Sequence, residues 1–406
     1  MVERKEYLQK LLSWKDEKVI KVVTGIRRCG KSTLLSQYQE LLKKSGVNSR
    51  QIISINFEDL EFEHLLEYKT LYSYIKERLC PDEMTYIFLD EVQKVPYFEK
   101  VVDSLLIKEN TDIYITGSNA YMLSSDLATL LTGRYVEISM LPLSFMEYSE
   151  ICGGSPEKAF NEYMKYGGLP YLATMDKTDE KVSTYFEGIY NTVIVRDIED
   201  RQKRIECDSD KRKITDVVLL KTIARYLASV VGSPVSTRSV TNYLISSGRK
   251  VSPNTVSDYM EALAESFIFY PVERFDVVGK QLLKENKKWY MVDLGLRNHI
   301  LPRQNYDLGF SLENIVYFEL LRRGYKVNIG KCGNTEIDFV AQKQGILSYY
   351  QITADMISKE TFDRELRPLE NLRDNYEKII LTLDRLTPGN YNGIKVINAL
   401  DWLIEP

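Results

Sequence analysis

Histidine is almost missing from the 406 residues, which hold only His64 and His299, and tryptophan occurs three times. Five cysteines (Cys29, Cys80, Cys152, Cys207, Cys332) are scattered, with no C-x-x-C pair among them. A zinc centre needs clustered nitrogen and sulfur ligands, so this usage argues against one, and against a disulfide framework. It is the usage expected of a reduced, cytoplasmic protein. The net charge is only −4, which gives no overall attraction to nucleic acid or to an anionic membrane; such binding would have to come from a local patch. No apolar run approaches the length that spans a bilayer, and the stretch Met1–Glu6 mixes both signs of charge. The chain therefore reads as soluble, untargeted and without a membrane partner. Internal repeats and low-complexity segments are absent as well.

What is present is a globular hydrophobic share of 44% in a chain too long for one ordinary core, which implies two or three domains. The most informative stretch is Gly25-Ile26-Arg27-Arg28-Cys29-Gly30-Lys31-Ser32-Thr33, after the apolar run Val19 to Val23 and before a helical pattern from Thr33 to Tyr38. It matches the phosphate-binding pattern G-x-x-x-x-G-K-[ST]. The glycines permit backbone angles that turn successive N–H groups toward an anion at a helix N-terminus. Lys31 then reaches the β- and γ-phosphates of a nucleotide, and the Ser32 hydroxyl is a candidate Mg²⁺ ligand.

Upstream, Tyr7, Leu8, Leu11, Leu12 and Trp14 recur at helical spacing, as in an amphipathic helix at a domain edge. Downstream, Gln51–Phe57 reads as a strand, residues near Leu71–Leu79 as a helix, and Tyr86-Ile87-Phe88-Leu89-Asp90-Glu91 as an apolar strand ending in two acids. Such a run fits a parallel strand buried on both faces, whose carboxyl end is where an α/β sheet holds its ligand. Asp90 is the candidate Mg²⁺ anchor and Glu91 the candidate base for an attacking water; two solvated acids at a strand end are the alternative. A further strand, Asp112–Thr116, runs into Gly117-Ser118-Asn119. Ser118 and Asn119 are candidates for orienting that water, with ordinary turn chemistry as the alternative. Arg134 then precedes a last strand, Tyr135–Met140.

This order resembles the AAA ATPases of the additional-strand, catalytic-glutamate type. The pieces Gly25–Thr33, Phe88-Leu89-Asp90-Glu91-Val92-Gln93, Thr116-Gly117-Ser118, Gly133-Arg134-Tyr135 and Leu141-Pro142-Leu143-Ser144-Phe145-x-Glu147 are similar to a prokaryotic predicted-ATPase family in which a P-loop ATPase domain is followed by a DUF4143 domain. The resemblance implies ATP and Mg²⁺ as ligands and a helical lid after the core. It makes Arg134 a candidate arginine finger reaching a neighbouring subunit, hence a candidate homo-oligomer; a salt bridge at the strand entry is the alternative.

The charge-dense stretch Arg201–Lys213 reads as a linker. Beyond it, helical patterns at Leu219–Leu227, Ser236–Leu244 and Ser252–Leu263, then strand-like Phe267–Val272 and Lys288–Val292, suggest a winged helix-turn-helix. Ser252 would cap its third helix, with Pro253 at the first position. Asn254, Thr255 and Ser257 there, with Arg249 and Lys250 just before, make DNA a candidate partner, against the acids Asp258, Glu261 and Glu265. Toward the C-terminus, a helix from Gly309 to Arg323, strands near Tyr325–Ile329, Thr335–Val340 and Leu347–Thr353, a helix Phe362–Tyr376 and a strand Lys378–Thr382 are similar to the PD-(D/E)xK nuclease fold. Glu313, Glu336 and Asp338 supply acids, but Gln351 and Thr353 stand where an active member has an acid and a lysine. DNA cleavage is therefore not expected.

The expected architecture is an α/β chain with an AAA-type P-loop sheet over 1–150, a helical lid and linker over 151–213, a winged-helix region over 214–300 and a restriction-endonuclease-like domain over 301–406. The expected function is Mg²⁺-dependent ATP hydrolysis coupled to a conformational change, with DNA a candidate substrate of that change. A slow nucleotide-controlled switch that binds a protein, and an ATP-dependent nuclease, are the alternatives.

Overall fold

The computed structural model describes residues 2–117, 133–192, 214, 216–301 and 307–405. The chain forms two compact units, one of Met1–Pro142 with Glu265–Phe267, the other of Leu143–Ala264 with Ile268–Pro406.

In the first unit, strands β1 (Ile20–Thr24), β2 (Ile52–Asn56), β3 (Thr85–Asp90), β4 (Thr111–Thr116) and β5 (Tyr135–Ser139) form one sheet in the order β2-β3-β4-β1-β5. Every pairing is parallel. β1, β3 and β4 are buried along their whole length, which is why they show no regular alternation of apolar and polar residues. Ile20, Val22, Ile53, Ile55, Ile87, Leu89, Ile113 and Ile115 pack with Val101, Val102 and Leu105 of the helix Phe98–Leu106 into one core. Because the strands run the same way, their carboxyl ends meet at a single edge, where Gly25, Asp90 and Gly117 all leave the sheet. A fully buried ion pair lies on the opposite face of the sheet, where alternation puts both residues: Lys21 Nζ lies 2.6 Å from Asp112 Oδ1, both side chains at 0% exposure. Asp112 also accepts from the backbone N–H of Asp16 at 2.9 Å and from the Tyr114 hydroxyl at 2.8 Å, so its lone pairs are satisfied and the pair tolerates its burial.

In the second unit, the strands β6 (Pro234–Val235), β7 (Phe269–Asp276), β8 (Gln281–Met291), β9 (Lys326–Cys332), β10 (Thr335–Lys343), β11 (Ile346–Thr353), β12 (Glu377–Thr382), β13 (Gly389–Tyr391) and β14 (Ile394–Asn398) build a mixed sheet in the order β13-β14-β12-β11-β10-β9-β7-β8-β6. The helices Val217–Ser229, Thr237–Ser246 and Pro253–Glu265 precede the β7-β8 ribbon. The Ser252 hydroxyl accepts from the N–H of Thr255 at 3.1 Å, as a cap should. The ribbon does not stop at a boundary: β7 pairs in parallel with β9 through Arg274–Asp276, so residues expected as two separate regions share one sheet. The residues expected as a lid up to 192 also belong to this unit. Asn298, in the helix Leu294–Ile300, donates to the Met164 and Lys165 carbonyls at 2.9 and 3.0 Å, and Phe186 stacks on His299. The linker stretch Arg201–Lys213 lies outside the described residues. No helix among the described residues is long and apolar enough to cross a membrane.

The turn Gly167-Gly168-Leu169-Pro170 has its explanation in Asp293. This buried carboxylate accepts from the Gly168 N–H at 2.7 Å and from the Leu296 N–H at 2.9 Å, where it starts the helix Leu294–Ile300. Gly167 sits at φ +76, and a Cβ on it would come within 2.2 Å of Asp293 Oδ1, so no side chain fits there. Burial pushes the Asp293 carboxyl up to about 6 against the pull of those backbone donors. The native state therefore holds this proton more tightly than the unfolded chain does. The stabilisation is complete below the unfolded value near 4 and is lost as pH rises through the folded value of about 6. In urea titrations from pH 4 to pH 7, wild type should lose up to roughly 3 kcal/mol relative to Asp293→Asn, because each pH unit separating the folded from the unfolded value is worth about 1.36 kcal/mol. Parallel pH profiles for the two proteins would refute it.

Candidate functional site

The loop Gly25–Gly30 leaves β1 in a conformation that only its sequence allows. Gly25 lies at φ +141 and a Cβ there would meet the Met140 carbonyl oxygen at 2.1 Å. Arg28 (φ +68) and Gly30 (φ +105) are also left-handed. Gly30 is the N-cap of the helix Lys31–Lys44, offers it no side-chain cap, and the first turn has no acid. A helix start with positive dipole and uncapped N–H groups suits an anion. Lys31 Nζ folds back on the carbonyls of Gly25 and Ile26 at 3.1 and 3.4 Å and lies 3.9 Å from Glu91 Oε1.

Of the other loop residues, Ile26 and Cys29 are fully buried, and burial pushes the Cys29 thiol up. Arg27 pairs with Glu58 at 3.2 Å, Arg28 is exposed and Thr33 half-buried. The back of the loop is held by a residue with no motif to mark it. Arg4, 3% exposed, donates to the Cys29 carbonyl at 3.3 Å and to the Leu141 carbonyl at 2.9 Å.

The carboxyl ends of β3 and β4 meet this loop. Burial pushes the Asp90 carboxyl up, while the neighbouring Ser32 and Thr116 hydroxyls pull it down. The Thr116 hydroxyl donates to Asp90 Oδ1 at 2.5 Å and accepts the Glu91 backbone N–H at 2.9 Å. Glu91 itself is 6% exposed and held at φ 54, ψ 43, a left-handed conformation that costs a non-glycine residue about 1–2 kcal/mol. Its carboxylate accepts from Gln93 Nε2 at 2.5 Å. Sequence reasoning assigns no role to Thr116 or Gln93. The usable signal for Thr116 is positional: as the last residue of an apolar strand pairing in parallel beside β3, it has to end next to Asp90.

Hydroxyl and carboxylate oxygens such as those of Ser32 and Asp90 fit a hard cation like Mg²⁺. Among the described residues no group of three or more His, Cys, Asp or Glu could hold a metal. A cation here would thus need further oxygens, and nucleotide phosphates are the natural source. Ser118 and Asn119 lie outside the described residues. Arg134 is exposed, and its carbonyl accepts the Ile20 N–H at 2.9 Å, at the start of β1 and β5. Lys31, Ser32, Asp90 and Glu91 are thus brought together. Arg134 is not with them, since it stands at the opposite edge of the sheet, roughly 16 Å away along five residues of strand.

In the second unit, Glu313, Glu336 and Asp338 do converge, and Gln351 joins them by accepting the Asp338 N–H at 3.3 Å and donating to Glu365 at 3.1 Å. The Thr353 hydroxyl turns to the Asp355 carbonyl at 3.0 Å. The cation that Thr353 cannot supply arrives from elsewhere: Lys288 on β8 lies 3.0 Å from Glu313 and 2.9 Å from Glu336. Nothing local in the sequence marks it. Around the third helix of the ribbon region, Asn254, Ser257 and Lys250 are exposed, whereas Arg249 is tied to Asp216 at 2.7 Å.

A family model described as AAA domain matches residues 17–149. The model that matches after it, over 157–307, is a domain of unknown function, DUF8612, which corrects the DUF4143 expectation. The fold is similar to a Walker-type ATPase of Pyrococcus abyssi, at 15% identity and TM-score 0.48 over 74% of this chain and 96% of that one. It is also similar to the ORC1 protein of Aeropyrum pernix in complex with DNA, at 12% identity and TM-score 0.32 over 74% and 92%. An uncharacterized protein of Methanocaldococcus jannaschii is 29% identical over 79% of this chain and 71% of its own length. An uncharacterized protein of Haemophilus influenzae is 38% identical over 100% of this chain and 99% of its own. This chain, which the AAA-domain model and the DUF8612 model match in turn, belongs to the family of that Haemophilus protein.

Proposed function

We propose that the N-terminal unit binds ATP with Mg²⁺ and hydrolyses it, and that the chain couples turnover to a change of conformation. The observation that carries this reading is the strained Glu91, left-handed and buried, directly after Asp90 and within 3.9 Å of Lys31. Strain of this kind persists where surrounding contacts over-determine it, and it places a carboxylate beside the phosphate cradle. When bound, Mg²⁺ neutralises charge on the phosphates. Ser32 and Asp90 are the residues to hold it, Lys31 to reach the β- and γ-phosphates, and Glu91 to polarise the attacking water.

Arg134 favours a second reading for the isolated chain, that of a slow switch. A guanidinium at the far edge of the sheet serves no site in its own subunit. In an assembly it would contribute about 10³–10⁵ in turnover to a neighbour's site. DNA remains a candidate partner of the three helices and ribbon, through Lys250, Asn254 and Ser257. Turnover stimulated by duplex DNA would support that, and turnover unchanged by DNA points to a protein partner.

Fluorescent-nucleotide binding should vanish in Lys31→Ala and lose its Mg²⁺ dependence in Asp90→Ala. Glu91→Gln should bind normally and lose phosphate release; wild-type hydrolysis by that variant would remove Glu91 from its role. Thr116→Val strips one hydrogen bond from buried Asp90 and removes the hydroxyl that accepts the Glu91 N–H. It should cost about 1–3 kcal/mol in denaturant titration and lower turnover, while Thr116→Ser keeps both. If Arg134 acts across an interface, a mixture of Arg134→Ala and Glu91→Gln proteins should hydrolyse ATP faster than either alone. Full activity from a strictly monomeric species would rule that out.

A further inference from the structure

The carboxylates of Glu313, Glu336 and Asp338 come from the helix Leu308–Arg322 and from β10, and they surround one ammonium from neither. Lys288 Nζ lies 3.0 Å from Glu313 Oε1, 2.9 Å from Glu336 Oε1 and 4.0 Å from Asp338 Oδ1, with its side chain 4% exposed. In the sheet, β8 is separated from β10 by β7 and β9, so the contact is distant in sequence and in strand order alike. The carboxylates have further partners. Glu313 accepts from the Tyr290 hydroxyl at 2.5 Å, Asp338 Oδ2 accepts the Ile352 N–H at 2.8 Å, and Arg274 on β7 lies 3.4 Å from Glu336 Oε2. Burial alone would pull the Lys288 ammonium down, but Glu313, Asp338 and Glu336 more than offset it and hold it above the usual lysine range.

A divalent ion at such a centre needs carboxylate oxygens within about 2.0–2.6 Å and a site free of other cations. The ammonium occupies the point those oxygens share, and no second cation can stand there with it. We propose that Lys288 fills, as a built-in cation, the position at which Glu313, Glu336 and Asp338 would otherwise gather a divalent metal. The centre is then a metal-free charge lock that fastens the β7-β8 ribbon to the C-terminal strands, and it does not hydrolyse phosphodiesters. Two ribbon cations, Lys288 and Arg274, set against acids of the C-terminal segment are what such a lock requires. The centre has an entry for ions from solvent, because Glu336 also borders a cleft of about 300 Å³ beside Gln351 and Arg364.

The test uses the full chain without nucleotide. Wild-type melting should not respond to millimolar Mn²⁺ through this centre, so wild type and Asp338→Asn should show the same Mn²⁺ shift. Lys288→Ala strands buried carboxylates and should melt lower by on the order of 10 °C. Mn²⁺ should recover part of that loss in Lys288→Ala and none of it in Lys288→Ala/Asp338→Asn. Should Lys288→Ala fail to fold, electron paramagnetic resonance of Mn²⁺ bound to wild type and to Asp338→Asn decides the question, since equal occupancy is expected. Fewer Mn²⁺ ions on Asp338→Asn than on wild type would overturn the proposal, as would Mn²⁺-dependent cutting of plasmid DNA that Asp338→Asn abolishes. Wild-type-like melting of Lys288→Ala would overturn the lock itself.

Discussion

A single hydroxyl ties the candidate site together. Thr116 donates to Asp90 and accepts from the Glu91 backbone, so one oxygen both positions a buried carboxylate and stabilises the left-handed turn after it. It can do so only because β3 and β4 pair in parallel with Leu89 opposite Ile115, which brings Thr116 level with the residues leaving β3. The Gly117 N–H then reaches the Val23 carbonyl at 3.3 Å, carrying the same alignment across to β1 and the loop. Parallel register is thus the constraint on which the relative placement of the loop, Asp90 and Glu91 depends.

The second unit relies on a different device, burial of charge against charge or against backbone donors. Asp293 knits a glycine turn to a helix start, and Lys288 knits the ribbon to the C-terminal acids. Each such group is costly to bury alone and is tolerated only with its partners in place. A sheet assembled from segments far apart in the chain therefore carries specific polar contacts at its seams, where apolar packing alone would leave register loosely defined.

The first unit shows how neighbouring side chains support the candidate site. Arg4 braces the loop from the N-terminal helix, and Gln93 restrains the Glu91 carboxylate. What these residues do is hold the loop backbone and the Glu91 carboxylate in place.

The sequence by itself determined the phosphate loop, the strands that flank it and the acids at the end of β3. These are local: glycine conformational freedom, unbroken apolar runs and a lysine-serine pair at a helix start are each written within a dozen residues. It also determined that the Asp90 side of the site would face that loop, since both follow parallel strands. Tertiary structure alone decided that Thr116 would lock Asp90 and Glu91, that Arg134 would stand at the opposite edge of the sheet, and that Arg4 would brace the loop. It alone decided that residues up to 192, expected as a lid, would pack with the second unit, and that the ribbon and C-terminal strands would share one sheet. Lys288 is the clearest instance. A lysine in an ordinary strand carries no mark of the three carboxylates it meets, because strand order and helix placement, long-range outcomes of packing, put the charges side by side.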